Sequence, residues 1–269
     1  MRDILDLPFS TEHADARVID VFVPDADVAN GRCVLCIHGG GWSAGGRAQW
    51  HGVARYLCER GYVTASSDYR LAPKWTFPAA VEDARLAMGW LRARANEYGF
   101  APDRMAALGS SAGGHLVAML ATIAPEDPLG ATAELRDPNT VPDATICYCP
   151  VLDVLGWANW NKTDSACVTA FLGKPACEAP ELCRTASPTE RITGREPPFL
   201  FLHGDADTTV LADESVEMAR RLRAAGVRAD VVILPGVGHG YGYGVGTPAQ
   251  KESLARAVRF LNDVFAARQ

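Results

Sequence analysis

Apolar positions along this chain gather into short runs separated by stretches of helical spacing. The runs ARVIDVFVP (16–24), CVLCIH (33–38), YVTASS (62–67), RMAALG (104–109), ATICYC (144–149), FLFLHG (199–204) and ADVVILP (229–235) read as strands. Several are nearly continuous rather than alternating, the pattern of strands covered by helices on both faces of a parallel sheet. Helical periodicity fills about 48–60, 79–98, 112–124, 213–226 and 248–267. The last has a defined start: Thr247 as N-cap, Pro248 in the first turn and Gln250 completing a capping box. Leu254, Ala257, Val258, Leu261, Val264 and Phe265 then form one apolar face. Strands alternating with helices predict an α/β fold with a mostly parallel central sheet flanked by helices, one domain over 1–269. Residues 152–197 break the rhythm, carrying Trp157, Trp160, Phe171 and several prolines without a clear period. They read as a lid-like insertion.

Open α/β sheets place their sites at the carboxyl ends of strands, and four suspicious motifs fall there: HGGGW, GSSAGG, GDAD and GHG. In GSSAGG (109–114) the pattern G-x-S-x-G fits one frame, with Gly109 and Gly113 flanking Ser111. A nucleophile elbow holds its serine on a sharp turn between strand and helix, and small residues two before and two after let the backbones pass closely. Ser110 would have Leu108 and Ala112 in those places, so Ser111 is the candidate nucleophile. A glycine-rich turn with two incidental serines is the bland alternative.

A serine hydroxyl needs a base. Of six histidines, His239 lies just past the last strand in a Gly-rich loop suited to presenting an imidazole. His38 is expected to hold the HGGG loop, His203 to make structural hydrogen bonds, and His115 to point away from the strand end; His13 and His51 lie near the N-terminus and at a helix start. The base needs an orienting carboxylate. Asp207 is preferred over Asp205, which is expected to bond the turn itself. The oxyanion donors would be the backbone N–H groups of Gly40, Gly41 and Ala112. Trp42, Trp157, Trp160, Tyr241 and Tyr243 are candidate pocket aromatics, with ordinary core packing as the alternative.

Composition narrows the partners. A formal net charge of −6 and the lack of a Lys/Arg-rich run argue against nucleic acid. No run approaches 18 apolar residues, so no membrane span is expected. The N-terminus MRDILDLPFS lacks a signal-peptide pattern, and a cytoplasmic protein, monomer or homodimer, is expected. Cys33 and Cys36 should face opposite sides of a strand, Cys58 should be core, and Cys147 and Cys149 should share one strand face in the core. Eight reduced thiols fit a cytoplasmic protein, with a Cys177–Cys183 disulfide as the alternative.

Taken with DYRLAP (68–73), HGDAD (203–207) and Gly238-His239-Gly240, these motifs resemble the α/β-hydrolases related to hormone-sensitive lipase and to microbial carboxylesterases and acetyl xylan or feruloyl esterases. The likeness runs from residue 38 to 240. It implies a Ser111–His239–Asp207 triad in the order of that fold, an oxyanion hole at Gly40, Gly41 and Ala112, and DYRLAP as a structural turn beside the site. It implies no metal and no cofactor. Hormone-sensitive-lipase relatives carry an N-terminal helical cap before HGGG; here the 37 preceding residues read as strands. Where an acidic residue is common before the nucleophile stands Ser110. Both departures look more like the compact acetyl xylan/feruloyl esterase group, while GSSAGGHL is also similar to arylformamidases. The expected activity is hydrolysis of short-chain or small aromatic esters through an acyl-enzyme. An arylformamidase or amidase with the same triad, or a non-catalytic binding protein on this fold, are the alternatives.

Overall fold

The computed structural model describes residues 1–160 and 165–267. Eight strands form one sheet: β1 (Arg2–Pro8), β2 (Val18–Val23), β3 (Cys33–Ile37), β4 (Val63–Ser67), β5 (Met105–Ser110), β6 (Ala144–Tyr148), β7 (Phe199–Gly204) and β8 (Ala229–Leu234). Their spatial order is β1-β2-β4-β3-β5-β6-β7-β8. β1 and β2 pair antiparallel, as do β2 and β4; every other pairing is parallel. The helices are α1 (His51–Cys58), α2 (Ala79–Arg92), α3 (Ala95–Tyr98), α4 (Ala112–Thr122), α5 (Val154–Trp160), α6 (Ser165–Leu172), α7 (Pro180–Thr185), α8 (Ala212–Ala224) and α9 (Pro248–Ala266).

The predicted strands match to within one or two residues. β1 carries no strong signal because it is an edge strand whose side chains are mostly exposed. The helical stretch 79–98 divides into α2 and α3, the second ending on Gly99 in the left-handed conformation (φ 80°). Thr247 and Gln250 form the expected capping box at α9. Residues 152–197 contribute α5, α6 and α7; 161–164 of that insertion lie outside the described residues.

Period-two alternation sends each central strand's side chains to two cores. Leu35, Ile37, Ala107, Cys147 and Phe201 pack with α2, α4 and α8. Val34, Cys36, Leu108, Ile146 and Leu202 pack with α1 and α9. Cys33 and Cys36 therefore face opposite sides, as expected. Cys147 and Cys149 do not share a face: Cys147 belongs to the first core and Cys149 to the second. The reason is local. β6 ends at Tyr148, and Cys149 turns out of strand geometry at φ 38°. None of the eight cysteines forms a disulfide; Cys177 is exposed and Cys183 buried, so the Cys177–Cys183 disulfide is not formed. The Cys183 thiol faces the Ala176 carbonyl instead.

Buried charge pins the N-terminal strands to the body. Asp83, on α2, is fully buried and accepts from Arg17 Nε (2.7 Å), from the Arg70 amide (2.7 Å) and from Arg70 Nε (3.0 Å). The last two bonds fix the DYRLAP turn. Burying these charges is tolerable only because each meets its opposite.

Candidate active site

β5 leads straight into α4, and the single residue between them is Ser111. Its backbone sits at φ 56°, ψ −120°, a conformation that only glycine adopts without strain. Tight packing holds it there. A Cβ added at Gly109 would lie 2.2 Å from the Gly113 carbonyl oxygen, and one at Gly113 would lie 2.1 Å from that of Ile37. Any side chain at either place would drive α4 from the sheet. Ser111 N donates to the Tyr148 carbonyl (2.9 Å) and the Ser111 carbonyl accepts from His115 N (2.9 Å). The two serines are thus distinguished structurally. Ser110 is fully buried, its Oγ 3.6 Å from Cys149 Sγ, whereas Ser111 is half-buried with its hydroxyl on an imidazole.

That imidazole is His239, from the loop after β8. Ser111 Oγ lies 2.9 Å from Nε2, and Nδ1 lies 2.7 Å from Asp207 Oδ2. An ionised carboxylate only accepts, so Nδ1 carries the proton and Nε2 is left to accept from the serine. Asp207 is in turn fixed from below: its Oδ1 accepts the Thr209 and Val210 amides, both at 2.9 Å. Burial alone would raise its carboxyl. Hydrogen bonds from His203, His239 and the Val210 amide outweigh that and hold it far below the usual carboxylate range. For His239 burial opposes the charged form, but the Asp207 carboxylate and the nearby Cys149 sulfur prevail and raise its pKa above the ordinary imidazole value. Asp205 bonds the turn, accepting from Gly236 N at 2.6 Å. His203 contacts Ser215 Oγ and the Val210 carbonyl.

The glycine loop after β3 meets the elbow. Gly40 and Gly41 have φ of 114° and 58°. A Cβ on Gly39 would stand 3.1 Å from Ser111 Cβ, so this loop passes directly beside the serine. Ala112 is the first residue of α4, where a backbone N–H has no acceptor within the helix. His38 secures the loop by stacking on Tyr69 (4.3 Å between ring centres) while the Tyr69 hydroxyl donates to the His38 carbonyl.

The candidate aromatics take different places. Trp42 offers nothing to a ligand: it is 1% exposed, stacked on Phe171 at 4.3 Å. Its indole N–H donates to His115 Nδ1 (3.1 Å), and His115 Nε2 then donates to the Ala186 carbonyl (2.7 Å). This chain of bonds ties the glycine loop through α4 to the insertion. Burial pushes the His115 pKa down to about 4, so it is neutral and takes the tautomer with the proton on Nε2. Trp157 and Trp160 line a cavity of about 260 Å³ between α5 and α8 whose walls include no triad residue. Tyr243 accepts from the Gly39 amide at 2.7 Å and so holds the glycine loop. Tyr241 packs edge-on to Tyr148, and its buried hydroxyl has no partner among the described residues. Sequence reasoning missed Cys149 as a neighbour of the triad. The only signal was its place at a strand's carboxyl end.

A serine on a strained strand–helix turn, an imidazole and a carboxylate, arrayed at the carboxyl edge of this sheet in the order Ser, Asp, His, define an α/β-hydrolase. Residues 19–222 match the BD-FAE family, and the chain belongs to it. It is 32% identical over 262 residues to esterase LipC of Mycobacterium tuberculosis, an alignment covering 94% of this chain and 64% of LipC. It is 29% identical over 244 residues to ethyl acetate hydrolase of Pseudomonas putida, covering 88% and 74% of the two. Among solved structures, the propionate-bound thermophilic esterase Est2 of Thermogutta terrifontis superposes with a TM-score of 0.76 at 25% identity, covering 98% of this chain and 94% of that one. No helix among the described residues is long and apolar enough to cross a membrane.

Proposed function

We propose that this chain is a serine carboxylesterase acting on short-chain or small aromatic esters, acetyl or feruloyl esters of carbohydrates among them. The observation that carries it is the continuous relay Ser111 Oγ–His239 Nε2, His239 Nδ1–Asp207 Oδ2 on the strained elbow. Ser111 attacks the ester carbonyl as His239 takes its proton. Asp207 keeps the imidazole in the required tautomer and stabilises its cation. The N–H groups of Gly40, Gly41 and Ala112 receive the oxyanion. His239 returns the proton to the leaving alcohol, then activates the water that hydrolyses the acyl-enzyme. Two relatives' names support small acyl groups: an ethyl acetate hydrolase and an esterase holding propionate. Residues 152–197 serve as a partial lid, anchored to the glycine loop through His115. Eight cysteines without a disulfide suit a reducing compartment, and we place the enzyme in the cytoplasm.

The experiment is turnover of p-nitrophenyl acetate by wild type and Ser111→Ala, with paraoxon labelling. The expected loss in kcat is on the order of 10³-fold or more, with label on Ser111 alone. A folded Ser111→Ala protein with full turnover refutes the proposal.

A further inference from the structure

One reactive side chain beside the triad has no part in that chemistry. Cys149 is fully buried and held at φ 38°, a conformation uncommon for a residue with a side chain and concentrated at functional positions. Its Sγ, a carboxylate oxygen of Asp207 and a ring nitrogen of His239 all lie within 4.8 Å of one another. Thiolate, imidazole and carboxylate are the donors that borderline-soft divalent cations select. A tetrahedral zinc ion with bonds of about 2.3 Å to sulfur and about 2.0–2.1 Å to nitrogen and oxygen sets its donors roughly 3.3–3.6 Å apart. The cluster therefore needs to close by about an ångström, and the His239–Asp207 contact of 2.7 Å to open by less. A second observation points to a missing ligand. The Tyr241 hydroxyl is buried and without a partner among the described residues, and both Cys149 and Asp207 are near enough to act on it electrostatically. It can bond a water completing the coordination.

We propose that Cys149, His239 and Asp207 form an inhibitory site for a borderline-soft divalent cation, zinc foremost. Binding forms metal–sulfur, metal–nitrogen and metal–oxygen bonds and releases the Cys149 thiol proton to solvent, while the His239 proton moves from Nδ1 to Nε2 as Nδ1 takes the metal; nothing is oxidised or reduced. The ion takes the place of the proton between His239 and Asp207, and the imidazole, now protonated on Nε2, can no longer accept a proton from Ser111. The inhibitory half rests on the esterase reading; the binding half does not.

The test uses full-length protein carrying Cys177→Ser, which removes the exposed thiol. Cobalt(II) is titrated while the thiolate-to-cobalt charge-transfer absorbance is followed, in the Ser111-intact and Ser111→Ala backgrounds alike. A saturable band in both is expected, lost with Cys149→Ser and weakened on the order of 100-fold with Asp207→Asn. Zinc should inhibit p-nitrophenyl acetate turnover reversibly by EDTA, with the half-inhibiting concentration raised about 100-fold in Cys149→Ser relative to that variant's own metal-free rate. Absence of the band, or a band and a zinc sensitivity unchanged by Cys149→Ser, overturns the site. If ester turnover is not found at all, the band in Ser111→Ala still decides the binding half.

Discussion

Replacing His115 with phenylalanine separates the two roles of this buried imidazole. In the native protein it accepts from Trp42 Nε1 and donates to the Ala186 carbonyl. Phenylalanine fits the aromatic surroundings of Trp42 and Phe171 but orphans both polar partners, at about 1–3 kcal/mol each. The native imidazole also titrates. Its pKa is about 4 when folded against an ordinary 6.5. A group whose pKa is depressed on folding to the neutral form stabilises fully above 6.5, and that stability drains away as pH falls towards 4. Over this window the loss reaches roughly 3 kcal/mol, most of it by pH 4.5. The variant has no such titration. The stability gap between wild type and His115→Phe should therefore be about 2–6 kcal/mol at pH 7.5 and shrink by about 2–3 kcal/mol at pH 4.5. Urea denaturation of both proteins at several pH values measures it, and subtracting one from the other cancels every other titrating group. A gap constant across that range would refute the reasoning.

Three further outcomes follow from the geometry. Asp207→Asn should lower kcat about 10³–10⁴-fold; since Asp207 raises the His239 pKa and His239 must be neutral to act, the acid limb of the kcat/KM profile should also move to lower pH, and an unmoved limb would contradict the assignment. Gly113→Ala puts a methyl group 2.1 Å from the Ile37 oxygen and 2.5 Å from the His38 oxygen, so it should cost about 1–3 kcal/mol and, by shifting the elbow, reduce kcat about 100-fold, seen by calorimetry and ester turnover. Asp83→Asn removes the buried carboxylate that Arg17 and Arg70 share, leaving them only the half-buried Glu82 and Glu134, and should cost about 3–5 kcal/mol, a fall in Tm on the order of 10 °C, with KM little changed.

How far the sequence could be read depended on the kind of signal. The central strands announced themselves because both faces are buried, and a continuous apolar run survives without any knowledge of neighbours. The elbow was legible because its constraint is local: Gly109 and Gly113 sit two residues either side of Ser111. His239 and Asp207 could be found because the fold brings strand ends together. Trp42 could not be placed, because whether a tryptophan beside a site faces ligand or core depends on partners far along the chain, here Phe171 and His115. Trp157 and Trp160 could not be placed for the same reason; their cavity is closed by α8, some fifty residues on. The turn at Cys149 broke strand alternation by one residue and moved its thiol from the expected core to the triad.

The backbone of Ser111 has one more meaning. At φ 56°, ψ −120° folding alone would favour glycine at this position, and the serine carries strain of about 1–3 kcal/mol. Ser111→Gly should therefore raise Tm while abolishing turnover, whereas Ser111→Ala should leave Tm nearly unchanged. A selection for thermal robustness without a demand for activity would erase this residue first. The fold bears a standing thermodynamic pressure against its own nucleophile, and only chemistry keeps it in place.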